Sequence, residues 1–505
     1  MRVLLIVVLL HLMPSLLVAD WRTVKEETSG GIVRIHVVHE NPNWLKPYRR
    51  GEFQHRRGTG FFISNNHIVT NQHIVEGAHE IKIEGVNTKE KFSVRLAAEP
   101  SLKFDLAILE FSSLEEKARF ERINGDIKAL KWAEWEAAQP GSPITVLGYG
   151  NSEQMVTTRG IISAWEPRFD RYQRRLNHVT LIRTDAAVVP GNSGGPAVSP
   201  EGKVIGVSAR YENSGNIGLL IPFDSAKKVV DSLLEKGKFT SSAAGFVWYS
   251  INPVLRRTLN LSDAQTGVVI SHVYSNSAAE QAGLRQWDVV TAINGNSIQH
   301  GEIKHAQAGK LPFWFSFNTA SPGTKVNFEV LRDNKLSQIE VTLGPSVQYR
   351  HWFPTEGADY APEWGYLGGM LIVEVTRGLL NQLEDANSWR WDLVNDSHNA
   401  EKLYIVADIE PATQAMSYED YDLDLYHSQI VSINGEPIRG SLQKQLNKLY
   451  QQIETGAAPA AVTVEFEQFR SIQLEAKHLL KERNTFYSRV VRNEQPQNMM
   501  AFSDR

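Results

Sequence analysis

The strongest chemical signal in the sequence is a glycine-rich segment from Pro190 to Pro196, with Ser193 at its centre. Glycine, proline, asparagine and serine dominate turns for backbone reasons alone, so the segment could be an ordinary turn. It could also present a serine nucleophile, because flanking glycines let backbone N–H groups point at a developing oxyanion. In that interpretation Gly191 and Ser193 supply the oxyanion donors, each worth about 3 kcal/mol of transition-state stabilisation.

A serine hydroxyl attacks a carbonyl only when a base removes its proton, and a candidate base lies upstream. The apolar run Ile68–Val75 carries His73, and Asp105 stands directly before the apolar residues 106–109. The order His73, Asp105, Ser193, with gaps of 32 and 88 residues, is that of chymotrypsin-like proteases. Each residue alone is more often structural than catalytic. Together they indicate a triad in which His73 is the base and Asp105 orients its imidazole.

The serine segment also matches the Gly-x-Ser-x-Gly elbow of α/β-hydrolases. That elbow needs a strand before it, a helix after it and a histidine downstream. Here Pro196 follows closely, the next apolar residues favour a strand, and no downstream histidine stands in a suitable turn. The order of the residues therefore favours a protease over an esterase.

Composition narrows the function further. A chain of 505 residues predicts about three domains, and a net charge of −4 gives no electrostatic footprint for nucleic acid. The absence of cysteine excludes disulfides, a cysteine nucleophile and thiolate metal sites. We predict no metal and no cofactor.

The first residues predict the compartment. Arg2 precedes an apolar run that ends at Val18, which is too short and interrupted for a membrane span. It predicts a signal peptide of residues 1–19, cleaved before Asp20, with an uncleaved anchor as the alternative. No later segment is apolar enough to span a bilayer. A cysteine-free exported chain fits a bacterial periplasm.

The remaining chain divides into a β-rich block and a diverged repeat. Short β-type runs between Gly31 and Pro222 predict a barrel or sandwich. Apolar positions from Ala226 to Leu234 then predict a helix that stops at Gly237. Collinear matches further on predict two related small domains, the second carrying insertions of 12 and 4 residues, the larger within 381–400. The matched positions are Gly245 and Leu255 with Gly369 and Leu379, Val273 with Ile409, Ile293-Asn294-Gly295 with Ile433-Asn434-Gly435, and Ile298 with Ile438.

Residues from about Gly31 to Val230 resemble the HtrA/Deg family of serine proteases. The resemblance implies a mostly β fold, a chymotrypsin-like double β-barrel, with His73, Asp105 and Ser193 as its triad. Where that family has Ile-Asn-Pro, this chain has Val188-Val189-Pro190, which makes the adjoining pocket wall less polar. The matching stretches are Ile68 to His73, Asp105-Leu106-Ala107, Thr184 to Ala187, Gly191 to Gly195, and Gly215 to Gly218 with Ile221-Pro222.

The same resemblance implies a substrate preference. Ala187, six residues before the serine, floors the primary pocket and favours cleavage after small or medium aliphatic residues. The strand Val207-Ser208-Ala209 is expected to pair with an extended substrate backbone, which unfolded chains provide. Arginines between Trp165 and His178 fall where the family has a sensor loop.

The repeats resemble PDZ domains, which capture peptides by adding a strand to a sheet edge. The first copy, Gly245-Phe246-Val247-Trp248, lacks the second glycine of a carboxylate-binding loop, and Leu367-Gly368-Gly369-Met370 is more permissive. The arrangement is most similar to plant-type Deg proteases with two PDZ domains. In those proteases the second domain holds subunits together, so a homotrimer or a multiple of trimers is expected.

These inferences combine into one layout. A signal peptide (1–19) precedes a protease domain (20–240), a PDZ domain (245–345), a PDZ-like domain with an insertion (363–480) and a tail (481–505). The expected function is ATP-independent degradation of unfolded proteins in periplasmic quality control and stress response. The alternative is a non-proteolytic holdase or PDZ scaffold that retains the protease fold.

Overall fold

The computed structural model of the chain describes residues 21–493 apart from gaps, the largest at 169–178, 213–216, 346–361, 384–401 and 420–424. The predicted signal peptide, most of the sensor loop and of the 381–400 insertion, and residues 494–505 lie outside the described residues. Among the described helices, none has the length and apolar character needed to cross a membrane. One compact unit runs up to Val38 and from His55 to Val347, and the other comprises His39–Gln54 and the residues from Gln348 onward.

Two closed six-stranded barrels make up the first part of the chain, which confirms the predicted fold class. Their strand orders are β1-β2-β3-β6-β5-β4 and β10-β11-β12-β9-β8-β7. The first barrel contains β1 (Ile32–Asn41), β2 (Glu52–Phe62), β3 (His67–Thr70), β4 (Ala78–Glu84), β5 (Lys91–Leu96) and β6 (Ala107–Phe111). The second contains β7 (Pro143–Gly148), β8 (Val156–Arg168), β9 (Val179–Thr184), β10 (Pro196–Val198), β11 (Val204–Glu212) and β12 (Ile217–Pro222).

Helices cover and connect the barrels. They are α1 (Trp21–Ser29), α2 (Gln72–Val75), α3 (Leu114–Asn124) and α4 (Phe223–Lys236), with a 3-10 turn at Trp135–Ala138. Helix α4 ends where the sequence predicted, because Gly237 adopts the left-handed conformation that ends a helix. Leu234, which the sequence placed on the apolar face of this helix, is 41% exposed and does not belong to that face.

The first repeat module (residues 242–345) contains a sheet in the order β14-β15-β16-β20-β21, in which β14 is an edge strand. Many of its buried side chains belong to a hydrophobic cluster that also contains buried residues of the second barrel. Its elements are β13 (Ser242–Ala243), β14 (Phe246–Ser250), α5 (Pro253–Thr258), β15 (Val268–Val273), α6 (Ala278–Gln281), β16 (Val289–Ile293), β17 (Asn296–Ser297), β18 (Glu302–His305), β19 (Gly309–Pro312), α7 (Phe315–Asn318), β20 (Lys325–Arg332), β21 (Lys335–Thr342) and β22 (Gly344–Pro345).

The second repeat module (residues 363–493) has two sheets in place of the main sheet of the first: a three-stranded sheet and a four-stranded sheet in the order β27-β26-β28-β29. Strand β24, which the repeat aligns with β14, is paired on its outer side by β23, so the order is β23-β24-β25. Its elements are β23 (Trp364–Leu367), β24 (Met370–Glu374), β25 (Tyr404–Ile409), α8 (Gln414–Glu419), β26 (Ile430–Ile433), β27 (Glu436–Pro437), α9 (Leu442–Glu454), β28 (Ala461–Phe466), β29 (Ser471–Glu475) and α10 (Ala476–Asn493).

Helix α10 corrects the predicted tail, which was placed at residues 481–505. Residues up to Asn493 are helical, and Phe486 is 1% exposed in a core that includes Tyr366. The ring of Phe486 stacks on that of Tyr366 at 4.2 Å. The tail prediction failed because the apolar residues of α10 are widely spaced among charged ones.

Candidate active site

Strand pairing brings His73 and Asp105 to the same end of the first barrel. Strands β3 and β6 pair antiparallel, with Thr70 opposite Ala107, so the residues just beyond these ends are neighbours. His73 lies in the short helix α2 that follows β3, and its Nδ1 is 2.7 Å from Oδ2 of Asp105. The backbone N–H of His73 donates to the other carboxylate oxygen at 2.9 Å. Both oxygens of one buried carboxylate therefore fix this histidine.

Asp105 itself is held in an unusual conformation. Its φ is +52°, a region that residues with a side chain enter rarely. Its carbonyl accepts hydrogen bonds from the Gln72 N–H at 3.1 Å and the Asn71 side-chain amide at 2.9 Å. These two donors come from the residues directly before His73, so the turn that carries the acid is bound to the segment that carries the base.

The Ser193 turn lies against the same strand end. Gly194 has φ +84°, and a Cβ on it would lie 2.2 Å from the Thr59 carbonyl oxygen and 2.3 Å from Oγ1 of Thr70. The N–H of Thr59 donates to the Ser193 carbonyl at 2.9 Å. Only glycine fits at position 194, and its close packing puts Ser193 beside the segment that leads into His73.

Of the three predicted triad residues, two are joined by hydrogen bonds in the structure and the third is not. Within the described residues, His73 and Asp105 share hydrogen bonds, whereas the Ser193 hydroxyl makes none to His73. Candidate catalytic hydrogen bonds are often longer before substrate binds, so this geometry is compatible with a resting site.

The two predicted oxyanion donors have no acceptor among the described residues. The turn is instead fixed through other atoms: Oγ1 of Thr59 donates to the Gly191 carbonyl at 2.7 Å, and Oδ1 of Asn192 accepts from the Gly150 N–H at 2.9 Å. The amides of Gly191 and Ser193 therefore remain available to a ligand while the turn around them is held.

The predicted pocket residues lie on two adjoining segments. The Ala187 carbonyl accepts from Oγ1 of Thr158 at 2.7 Å. Val207 is buried on β11, opposite Pro196, where β10 begins. Ser208 bonds through its backbone to Gly195 and Gly194, and the strand bulges at Ala209. Beyond this point β10 no longer pairs with β11. Val207 and Ser208 therefore already have backbone partners on this side, and of the three residues that the sequence assigned to substrate pairing it is Ala209 that lies beyond them.

Sequence reasoning missed two threonines that shape the site. Thr59 supports the serine turn through its hydroxyl and its N–H, although 132 residues separate it from Gly191. Thr158 holds the Ala187 carbonyl across 29 residues. Neither lies in a recognisable motif, because its role depends on the pairing of distant strands.

In the described part of the chain, no group of three or more histidine or acidic side chains is placed so that it could hold a metal ion. Of the sensor-loop arginines, Arg168 is described and lies 3.9 Å from Glu166. Arg171, Arg174 and Arg175 lie outside the described residues.

Comparison with known proteins agrees with this architecture. Residues 58–207 match the trypsin-like peptidase domain family, and residues 255–343 match the PDZ domain family. A probable periplasmic serine endoprotease, DegP-like, from Marinomonas sp. (strain MWYL1) is 31% identical over 57% of this chain and 56% of its own. One of the same description from Chlamydia trachomatis serovar D is 33% identical over 57% of this chain and 54% of its own. The chain thus spans about half the length of these relatives.

A solved structure shows the same fold. The HtrA-type protease AlgW with tripeptide has a TM-score of 0.50 and is 22% identical over 64% of this chain and 97% of its own. The barrels and the domain matches define a trypsin-like serine peptidase domain followed by a PDZ domain. Within that class the chain is similar to DegP-like proteases, in agreement with the resemblance to the HtrA/Deg family seen in its sequence.

Proposed function

We propose that the chain is a serine endopeptidase in which His73, Asp105 and Ser193 form the catalytic triad. The observation that carries the proposal is the contact of His73 Nδ1 with Asp105 Oδ2 at 2.7 Å, beside the glycine turn of Ser193. A carboxylate on Nδ1 fixes the tautomer in which Nε2 can accept a proton. Asp105 is therefore the orienting acid and His73 the base.

The reaction follows from these roles. Ser193 Oγ attacks the peptide carbonyl while His73 takes its proton, and the resulting oxyanion accepts from the amides of Gly191 and Ser193. His73 then gives the proton to the leaving amine, and the acyl group stays on Ser193. Water, deprotonated by His73, releases the acid. Peptide hydrolysis is downhill, so this cycle needs no ATP.

The substrate proposal rests on the edge of β11 and on the small residue Ala187. The sequence assigned substrate pairing to Val207, Ser208 and Ala209; because Val207 and Ser208 already have backbone partners, an extended backbone can pair from Ala209 onward, which requires an unfolded segment. Small or medium aliphatic side chains suit a pocket with a methyl group at its floor. We assign the chain to quality control of unfolded proteins, and we place it in the bacterial periplasm because its relatives are described as periplasmic serine endoproteases.

A peptide partner is proposed for the first repeat module alone. Strand β14 is the edge of its sheet, and its backbone can accept an added strand. In the second repeat module the corresponding edge of β24 is paired with β23, and β23 lies against α9, where a Cβ on Gly365 would be 2.3 Å from Leu446. The second repeat module then has a role in holding subunits together, and the whole chain is proposed to assemble as a homotrimer or a multiple of trimers.

The test compares wild type with Ser193→Ala for casein digestion and for labelling by a fluorophosphonate probe. We expect wild type to digest casein and to bind the probe, and the variant to do neither. Wild type that resists the probe but suppresses aggregation of an unfolded client would favour the holdase alternative. Cleavage sites mapped by mass spectrometry should follow alanine, valine, leucine or isoleucine, and frequent cleavage after lysine or arginine would contradict the pocket assignment.

A further inference from the structure

The tight turn that carries Asp105 is bound to parts of the chain outside its own barrel. The backbones of Ser101 and Leu106 bond to each other at 2.8 and 3.1 Å, which closes the turn. Nζ of Lys103 lies 2.5 Å from Oδ1 of Asn318. The ring of Phe104 meets the ring of Phe239 edge-on, at 5.5 Å. The two residues before the acid therefore contact the first repeat module and the segment that leads to it.

Lysine is an unusual residue at position 103, where it contacts Asn318. No carboxylate among the described residues lies within ion-pair distance of its ammonium, and its one polar partner there is the Asn318 amide oxygen. Burial lowers the pKa of Lys103 to about 8, because the charged form loses its hydration. This hydrogen bond is the one polar contact of the ammonium among the described residues, so it links the positions of Lys103 and Asn318.

Asn318 is itself a fixed point. It is the last residue of α7, is 7% exposed, and belongs to the first repeat module. The same helix begins with Phe315, whose ring packs edge-on against Trp165 of the second barrel and Trp135 of the 3-10 turn. The amide oxygen that Lys103 contacts is thus held by packing against the peptidase domain.

We propose that Lys103 is a positioning residue through which helix α7 of the first repeat module holds the turn of Asp105, and so the imidazole of His73. This inference rests on the proposed function, because it assigns a role in orienting that triad. It gives the first repeat module a direct effect on the rate of the chemical step. Movement of α7 would change the position of Asp105 without any change at Ser193.

The test removes each partner of the bond in the full chain. Lys103→Met keeps a long apolar side chain and removes the ammonium, and Asn318→Leu removes the acceptor. We expect each to lower kcat on a peptide substrate, and the rate of fluorophosphonate labelling, roughly tenfold with little change in KM, since small displacements of catalytic groups reduce rates strongly. Asn318→Asp retains an acceptor oxygen and should keep close to the wild-type rate, but only while Lys103 is present.

A matched control separates positioning from loss of stability. Arg332→Met breaks the ion pair with Asp288 inside the same module, at 2.6 Å, without touching the 101–106 turn. It should lower the melting temperature and leave the labelling rate unchanged. Wild-type labelling rates in Lys103→Met and Asn318→Leu, or an equal loss in Arg332→Met, would overturn the positioning role. Wild type that the probe does not label would overturn the proposed function itself, and the positioning role with it.

Discussion

Asp105 acts on His73 through both carboxylate oxygens, one on the ring Nδ1 and one on the backbone N–H. Asp105→Asn replaces one oxygen by an NH2 group, which meets either the ring or the backbone donor. We expect the wrong imidazole tautomer and a fall in kcat/KM of about 10⁴-fold, the size seen for this change in trypsin-like sites.

Peptide hydrolysis and probe labelling measure this effect. The control is Asp288→Asn, a buried carboxylate in the first repeat module that also accepts a backbone N–H, from Arg285 at 2.8 Å. It should lower stability and leave labelling unchanged. An active Asp105→Asn enzyme would show that His73 is oriented by another group.

The serine turn makes a second prediction, based on two glycines with nearly the same backbone angle. Gly194 has φ +84° and Gly141 has φ +89°, so alanine at either site adds about 1–2 kcal/mol of strain. A Cβ at 194 also meets the Thr59 carbonyl at 2.2 Å, whereas a Cβ at 141 meets nothing within 4 Å. Urea unfolding and probe labelling should therefore show a small stability loss for Gly141→Ala. Gly194→Ala should lose more stability and at least about 100-fold in labelling rate. Equal behaviour of the two variants would contradict the assigned packing.

Single residues were predictable where their chemistry is local. His73, Asp105 and Ser193 were identifiable because each lies in a short motif and because their order along the chain fits few classes of enzyme. Thr59 and Lys103 were not, because each acquires its contact only when distant segments fold together. A threonine in a strand and a lysine in a loop occur at many positions of any sequence, so neither residue marks a functional site by itself.

At the scale of elements, turns were easier to predict from the sequence than the pairing of strands. The Asn-Gly pairs at 294–295 and 434–435 both have the positive φ angles of a tight hairpin turn, and each joins two paired strands. No pattern in the sequence indicated that β23 would cover β24. Its residues Trp364 to Leu367 are apolar on both faces, which a strand between a sheet and a helix requires, but many other placements would satisfy that pattern.

The hairpin of β18 and β19 carries a pH-dependent contact. Nδ1 of His305 accepts the Ala308 N–H at 3.2 Å, and its ring packs on Trp135 at 4.2 Å. Burial lowers the pKa of His305 below its usual 6.5, so the unfolded chain binds this proton more readily than the folded one. Stability from this residue is therefore complete above about pH 7 and is lost as the pH falls through 6.5.

Thermal unfolding between pH 8 and pH 5.5 tests this sign. His305→Asn keeps an acceptor that does not titrate, and it should flatten the decline in melting temperature on the acid side. Burial also lowers the pKa of His36, despite its contact with Glu84 at 2.9 Å. The wild-type decline should therefore persist in part, and removing both histidines should flatten it further. A decline that His305→Asn leaves unaltered would exclude this residue as a source.

At the scale of the whole molecule, the compact units and hydrophobic clusters do not follow the domain boundaries that the sequence predicts. The second barrel and the first repeat module share one hydrophobic cluster, so the predicted boundary between residues 240 and 245 does not divide the core. The segment His39–Gln54 leaves the first barrel between β1 and β2 and belongs to the C-terminal unit, where Trp44 and Tyr48 pack near Trp364 and Phe486. Pro42, Pro47 and Gly51 mark this segment as a connection between strands, but no local pattern indicates with which unit such a connection packs.

Two units with separate cores should unfold in two thermal transitions. Trp165→Ala removes a ring that stacks on Trp135 at 4.9 Å, and should lower the transition of the unit with both barrels by about 5 °C, for a loss of about 3 kcal/mol. Phe486→Ala empties the C-terminal core and should lower the other transition alone. Calorimetry of wild type and both variants measures this, and probe labelling of Ser193 identifies the transition at which activity disappears. If the first repeat module instead melted apart from the barrels, a third transition would appear that Trp165→Ala leaves in place, and the shared core would not be a cooperative one.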